Sequence, residues 1–386
     1  MKKLRVAVAT RFPYSERDAF SGLMQVSLRL CDALAKRDDI ELYVISRAYA
    51  PRQIEYRETN NYQISFLPYS ATWYRNPTFY LGAAHAIKRE LLKIKPDIVH
   101  CQATAETAIG GLLSNLPLVT TIHGIYSAEA SNVHSLRARI AFPVLKVIEA
   151  WYVKRLPYVI SCSPYVTQFV RQNNAKAQIY NVSNPIDPAF FAVDINSTRP
   201  QPRSILIVGT IYYRKGHDIL IEAMRQLVQE FPDAKLTVVG NEVDAAFAQA
   251  LKQNIMEYNL TGNVVWLGPV SQERLLEEMQ AHKILCLPSR EETLPMSLSQ
   301  AMAVGNICIA SDAGGIPDMI RDGENGFLFP SGDAAALCQV LANVFKMPDN
   351  QLEEIRRHSR LAAELAHRDD NVADQTVKVY HTILGS

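Results

Sequence analysis

A chain of 386 residues is too long for one ordinary domain and points to two or three. With 48% hydrophobic and 20% charged residues it has enough apolar side chains to build sizeable cores, so neither a disulfide framework nor a structural metal is needed to fold it. The net charge of +1 hides an asymmetry, because residues 1–190 sum to +9 and residues 191–386 to −8. The basic half either meets an anionic surface or complements an acidic neighbour domain; it carries no recognition motif for nucleic acid, which is not expected as a partner.

The opening MKKLRVAVAT runs straight into a strand pattern and is too short and too quickly polar for a signal peptide. Strand patterns follow at 4–10, 41–46, 62–68, 97–102, 118–123, 158–163 and 178–183. They are continuous apolar runs, which suit parallel strands covered on both faces. Helical periodicity lies between them, from about Gly22 to Lys36 with Leu23, Val26, Leu30 and Leu34 on one face, and from about Pro77 to Lys95. Residues 134–155 combine Arg137, Arg139, Lys146, Lys154 and Arg155 with Phe142, Trp151 and Tyr152. They read either as a core helix with solvated basic edges or as a face for an anionic membrane and a lipid-linked acceptor. The aromatic-basic WYRNPTFY (73–80) could serve either role.

DINSTRPQPR (194–203) has two prolines and no periodicity and reads as a linker. A second βα series follows, with strand patterns at 204–210, 235–240, 264–268, 284–289, 307–311 and 326–330, and a tail helix from roughly Ala373 to Leu384. Two successive βα series predict an α/β protein of two doubly wound, Rossmann-like domains. The expected divisions are 1–193, 204–369, and a C-terminal helix in 370–386 that packs back on the N-terminal domain. Such sheets bind ligands at the carboxyl ends of their strands, and two of them facing each other form a cleft. The six cysteines form no C-x-x-C pair and read as buried thiols of a reducing compartment. The uncharged stretch Thr293–Ser311 contains Pro295, Gln300, Gly305 and Asn306 and is not a membrane span. A cytoplasmic protein, at most peripheral at the inner face of a membrane, is expected.

The most specific segment is PSREETLPMSLSQAMAVGNICIASDAGGIPDMIRDGENGFLFPSGD (288–333). It reads as a strand, a loop holding Glu292, and a helix beginning near Leu294 or Pro295. The N–H groups of Leu294, Met296 and Ser297 at that helix start are a ready anion site suited to a diphosphate. Gly314 and Gly315 then make a tight turn, and Pro317 opens the next helix.

This segment resembles the donor-binding signature of the family-4 retaining glycosyltransferases, enzymes of the GT-B fold. Pro288, Ser289, Glu292, Ala301, Met302, Ala303, Gly305, Ser311, Asp312, Gly314, Gly315, Pro317, Asn325, Gly326 and Asp333 match it in order and spacing. VGTIYYRKG (208–216) resembles the family's Lys-Gly loop, which places Lys215 on the donor phosphates. Ser21-Gly22-Leu23 resembles its glycine-rich loop. TIHG (121–124) resembles a strand end whose His123 positions the donor sugar. Asn184 and Asp187 fall in the family's Asn-x-x-Asp arrangement and read as mainly structural.

The resemblance implies a hexosyltransferase that moves sugar from a nucleotide-diphosphate sugar to a glycan or lipid-linked acceptor. His123, Lys215 and Glu292 are the expected catalytic residues. Gly22, Thr210, Arg214, Lys215, Glu292, Leu294, Met296, Ser297 and Gln300 are the expected donor-binding set. Three positions depart from the pattern. Gln300 stands where the family has a second glutamate, which costs charge assistance of about 1 kcal/mol to a ribose diol. Thr210 replaces a phosphate-binding arginine, for which Arg214 is the nearest substitute. Asp318 replaces a glutamate. No D-x-D occurs, and the E-x-D triplets at Glu16–Asp18 and Glu242–Asp244 lie off the strand ends, so neither a metal nor a cofactor is expected. A nucleotide-sugar epimerase on the same scaffold and a degenerate, donor-binding relative remain as alternatives.

Overall fold

The computed structural model describes residues 3–15, 22–48, 53–59, 61–68, 77–102, 105–129, 136–197 and 200–385. Ser21, the triplet at Glu16–Asp18, the loop residues Trp73–Asn76 and residues 134–135 lie outside the described residues, as do the side chains of residues 77–80, 129 and 136–142.

The chain folds into two compact units. The first is built from Met1–Ser127, Leu136–Ile186 and His367–Ser386. Its strands are β1 (Leu4–Ala9), β2 (Ile40–Ala48), β3 (Glu55–Glu58), β4 (Tyr62–Pro68), β5 (Ile98–Gln102), β6 (Leu118–Ile122), β7 (Tyr158–Ser161) and β8 (Gln178–Asn181). They lie in the order β3-β4-β2-β1-β5-β6-β7-β8, parallel throughout except for the β3–β4 pair at the edge. The helices α1 (Gly22–Ala35), α2 (Pro77–Ile94), α3 (Ala105–Ser114), α4 (Tyr126–Glu129), α5 (Leu136–Val153) and α6 (Pro164–Asn173) make the connections. The apolar runs of β1, β5 and β6 are buried on both faces, as crossover helices require.

The second unit is built mainly from Asp187–Ala366. The short helix α7 (Pro188–Phe191) is capped by the Asp187 carboxylate, which accepts from Ala189 N–H at 2.8 Å and from the Gln272 amide at 2.6 Å. The strands β9 (Gln201–Val208), β10 (Lys235–Val239), β11 (Val264–Gly268), β12 (His282–Leu287), β13 (Ile307–Ser311) and β14 (Phe327–Phe329) follow. They form an all-parallel sheet in the order β11-β10-β9-β12-β13-β14. Helices α8 (His217–Glu230), α9 (Ala245–Glu257), α10 (Gln272–Ala281), α11 (Met296–Val304), α12 (Ala334–Lys346) and α13 (Asp349–His367) cover it. Both sheets are doubly wound around their own cores.

The break between units falls at Ile186–Asp187, ahead of the expected linker at 194–203. Arg360 of α13 explains this: its guanidinium donates to the carbonyls of Phe191 and Ala303, tying the segment after α7 to the second unit. Arg356 does the same for Ile195 and Gly305, at 3.1 and 2.7 Å. The chain returns to the first unit at His367, whose Nδ1–H reaches the Asn184 carbonyl at 2.9 Å, and α14 (Asp369–Leu384) then packs on α1. Among the described residues no helix is long and apolar enough to cross a membrane.

Candidate active site

In the second unit the strand ends β9 and β12 bring two distant motifs together. After β9 the chain runs through Gly209 and Thr210 into a 3₁₀ turn, Tyr213–Lys215, closed by Gly216. Gly216 has a φ of 70°, and a Cβ there would stand 1.9 Å from the Pro288 carbonyl oxygen, so only glycine lets this turn lie against the end of β12. Arg290 locks the two together. Its N–H donates to the Arg214 carbonyl at 2.7 Å, its guanidinium grips Asp218 at 2.8 and 2.7 Å, and it stacks on the Tyr213 ring at 3.7 Å.

This clamp delivers the Lys215 ammonium onto the Glu292 carboxylate. Ser289 Oγ donates to the same carboxylate oxygen at 2.8 Å. Glu292 is only 5% exposed. Burial alone would raise its pKa, but the charges of Lys215 and Arg214 and the bonds from Lys215 and Ser289 hold the carboxyl below its usual range. From behind, Gly314 supports the Glu292 backbone: its φ is 58°, a Cβ would stand 2.0 Å from the Glu292 carbonyl oxygen, and Gly315 N–H donates to that oxygen at 2.8 Å.

Four residues after Glu292 begins α11. It has Pro295 at its N-cap with no side-chain cap, so the amides of Met296 and Ser297 open the helix ahead of its internal ladder. Leu294 and Gln300 are both buried, at 9% and 4% exposure. Pro317 opens only a 3₁₀ turn, Ile316–Asp318, where a helix was expected.

In the first unit Gln102 ends β5 and His123 follows β6, with Gln102 in register with Thr121. Gln102 Oε1 accepts from His123 Nε2. His123 is partly buried, and burial pushes its imidazole down to about 4, so it is neutral at physiological pH. The next turn is fixed by buried Glu149, which accepts from Tyr126 and Ser127 N–H at 2.8 and 3.0 Å. Gly22 is the first residue of α1.

The structure thus joins Lys215, Glu292 and the start of α11 in one unit and places His123 and Gly22 in the other. Thr210 is half-buried just past β9. Arg214, expected among the donor-binding residues, bonds Glu291 at 2.6 Å and the Tyr212 hydroxyl at 2.6 Å through its guanidinium. Sequence reasoning missed Arg290, Asp218 and Glu291. Their signal was present only as charged residues beside the motif positions. Among the described residues, no group of three or more His, Cys, Asp and Glu side chains is placed to hold a metal ion.

Comparison with known proteins assigns the family of the chain. The family model "Glycosyltransferase Family 4" matches residues 20–190, and "Glycosyl transferases group 1" matches residues 192–361. The chain belongs to the family-4 glycosyltransferases. It is a transferase enzyme of the GT-B fold. Among curated relatives, a glycogen synthase of Mycobacterium tuberculosis is 25% identical over 319 residues, 78% of this chain and 74% of the relative. A phosphatidyl-myo-inositol mannosyltransferase of the same species is 27% identical over 305 residues, 75% of each. Among solved structures, a sucrose-phosphate synthase from Thermosynechococcus elongatus superposes with a TM-score of 0.84 at 20% identity, covering 99% of this chain and 100% of that one. Anabaena HepE, solved in complex with UDP-glucose, gives 0.71 at 15% identity, covering 98% and 100%. At these identities the two structures speak to the fold of this family-4 glycosyltransferase.

Proposed function

We propose that this glycosyltransferase moves a hexose-type sugar from a nucleotide-diphosphate sugar to an acceptor hydroxyl, with retention at the anomeric carbon and without a metal ion. The observation that carries the reading is the Lys215–Glu292 pair standing four residues before the start of α11. A largely buried ammonium and a set of helix-start amides are what a departing diphosphate needs as negative charge builds on it.

In this reading Lys215 stabilises the leaving phosphate, and the amides of Leu294, Met296 and Ser297 bind it. Glu292 and His123 hold the sugar hydroxyls, Gly22 allows close backbone approach, and Thr210 and Gln300 contact the nucleotide side. Arg214 reaches a phosphate only by giving up Glu291. The glycosidic bond breaks toward the diphosphate, an oxocarbenium-like centre develops, and the acceptor oxygen bonds from the same face. The departing phosphate oxygen takes the acceptor proton, so no protein nucleophile is required.

UDP-glucose in Anabaena HepE supports a nucleotide-sugar donor for this scaffold. The glycogen synthase and mannosyltransferase relatives use different acceptors by their names, so the acceptor class rests on this chain's own surface. The exposed apolar side of α5, with Lys154 and Arg155 just past its end, favours a lipid-linked or membrane-associated glycan acceptor. The test is a nucleotide-sugar panel assayed for transfer, with the anomer of the product determined and a chelator present in a parallel arm. Inversion, or turnover abolished by the chelator, would overturn the mechanism. Epimerised donor formed without acceptor would replace transfer by epimerisation, and binding without turnover would make the chain a donor-binding relative.

A further inference from the structure

Tyr380, His100, Gln102 and His123 form one hydrogen-bonded chain through the core of the first unit, with Thr121 as a branch from His100. Tyr380 of α14 meets His100 Nδ1 at 2.7 Å. His100 Nε2 meets Gln102 Nε2 at 3.1 Å and Thr121 Oγ1 at 2.7 Å. Gln102 Oε1 meets His123 Nε2. Tyr380 and Gln102 are fully buried and His100 is 1% exposed. Strand alternation and the β5–β6 register place His100, Gln102, Thr121 and His123 on one face of the sheet. Polar groups in such an apolar interior are costly unless each finds its partner, and a parallel strand such as β5 is ordinarily filled with aliphatic residues.

The chemistry of each group sets the direction of the chain. The Gln102 amide nitrogen only donates, so His100 Nε2 accepts and its proton sits on Nδ1, donated to the Tyr380 hydroxyl. The Gln102 carbonyl only accepts, so His123 carries its proton on Nε2 and its lone pair on Nδ1. Both rings are neutral, since burial pushes His100 down to about 3 and His123 to about 4.

We propose that Tyr380, His100 and Gln102 are positioning residues that fix the tautomer and ring plane of His123, which makes the C-terminal helix α14 part of the transfer machinery. The inference rests on the reading of His123 as a donor-sugar residue. Replacing Tyr380 by Phe leaves His100 Nδ1–H without its acceptor. His100 then moves its proton to Nε2, the Gln102 amide loses its acceptor and reverses, and His123 shifts to the Nδ1–H form.

The test uses the full chain with ¹⁵N-labelled histidine. Imidazole ¹⁵N shifts report the tautomers of His100 and His123 in the wild type, Tyr380→Phe and Val377→Ala. Val377 is a buried apolar neighbour on α14 that controls for loosened packing. Tyr380→Phe is expected to exchange the His123 Nδ1 and Nε2 signatures and to lower kcat about tenfold with the donor KM little changed; Val377→Ala does neither. Unchanged His123 signatures in Tyr380→Phe would overturn the proposal. So would a changed tautomer with wild-type kcat in an enzyme that His123→Ala impairs. Wild-type kcat in His123→Ala is a separate result: it removes the site reading itself, whatever the spectra show.

Discussion

Lys215 and Glu292, 77 residues apart in sequence, meet as a largely buried ion pair held by the Arg290–Asp218 clamp. Removing one partner of such a pair strands the other charge, whereas replacing both by apolar groups costs little. Lys215→Met is therefore expected to lower stability by about 3–5 kcal/mol and transfer by about 10²-fold or more. Lys215→Met combined with Glu292→Leu should recover most of the stability in urea melts and none of the transfer. Recovered transfer in the double variant would show that the pair is structural only.

Gly314 supports Glu292 from behind, and a methyl group there meets both backbone strain and a carbonyl oxygen at 2.0 Å. Gly332, with a φ of 89°, has nothing within 4 Å of the same hypothetical methyl. Strain alone is worth about 1–2 kcal/mol. Gly332→Ala should lose about that much with activity retained. Gly314→Ala should lose clearly more and also raise the donor KM, because the Glu292 backbone must move. Equal melting temperatures for the two variants would refute the argument.

The sequence reveals the two βα series because parallel strands read as apolar runs, and it reveals the donor motif because spacing is a one-dimensional property. It does not reveal β3. The segment Glu55–Glu58 alternates charge at a sheet edge, and its Arg57 is held by stacking 3.9 Å over the Tyr14 ring, a contact no local pattern encodes. The pairing of charges was equally hidden. Nothing in the sequence announces that Arg214 pairs with Glu291, and His100 reads as a strand residue until Tyr380 arrives from 280 positions away. Motif spacing tells which residues share a loop, whereas partner choice depends on crossings that only the assembled sheet supplies.

His367 is 3% exposed at the junction of α13 and α14, and burial pushes its imidazole down to about 4. The unfolded value is about 6.5, so the unfolded chain binds the extra proton first as the pH drops. The stability from keeping this ring neutral is fully present above about 6.5 and is lost as the pH falls toward about 4, at up to about 1.4 kcal/mol per pH unit. His367→Gln keeps a donor for the Asn184 carbonyl but cannot titrate. Urea unfolding across this window should show a shallower pH dependence for the variant than for the wild type. Parallel curves would mean that His367 is protonated in the folded state as readily as in the unfolded one.

Helix α5 exposes Val144, Val147 and Trp151 at 41%, 71% and 41%, and their spacing puts them on one side of the helix. Arg155 stacks on the Trp151 ring at 4.4 Å, with Lys154 beside it. Exposed apolar side chains bordered by cations suit the headgroup region of an anionic bilayer, where the apolar groups enter and the cations meet phosphate. The protein is expected to float with vesicles containing an anionic lipid, to float less as salt rises, and to remain in solution with neutral vesicles. Val147→Asp with Trp151→Ser removes two insertions worth about 1.5–3 kcal/mol each when fully buried, so binding should weaken by more than about tenfold. Donor turnover measured with a soluble acceptor should be unchanged in that variant, because these exposed side chains belong to the first unit and the largely buried Lys215–Glu292 pair to the second. Equal flotation of variant and wild type would place the membrane contact elsewhere on the basic half of the chain.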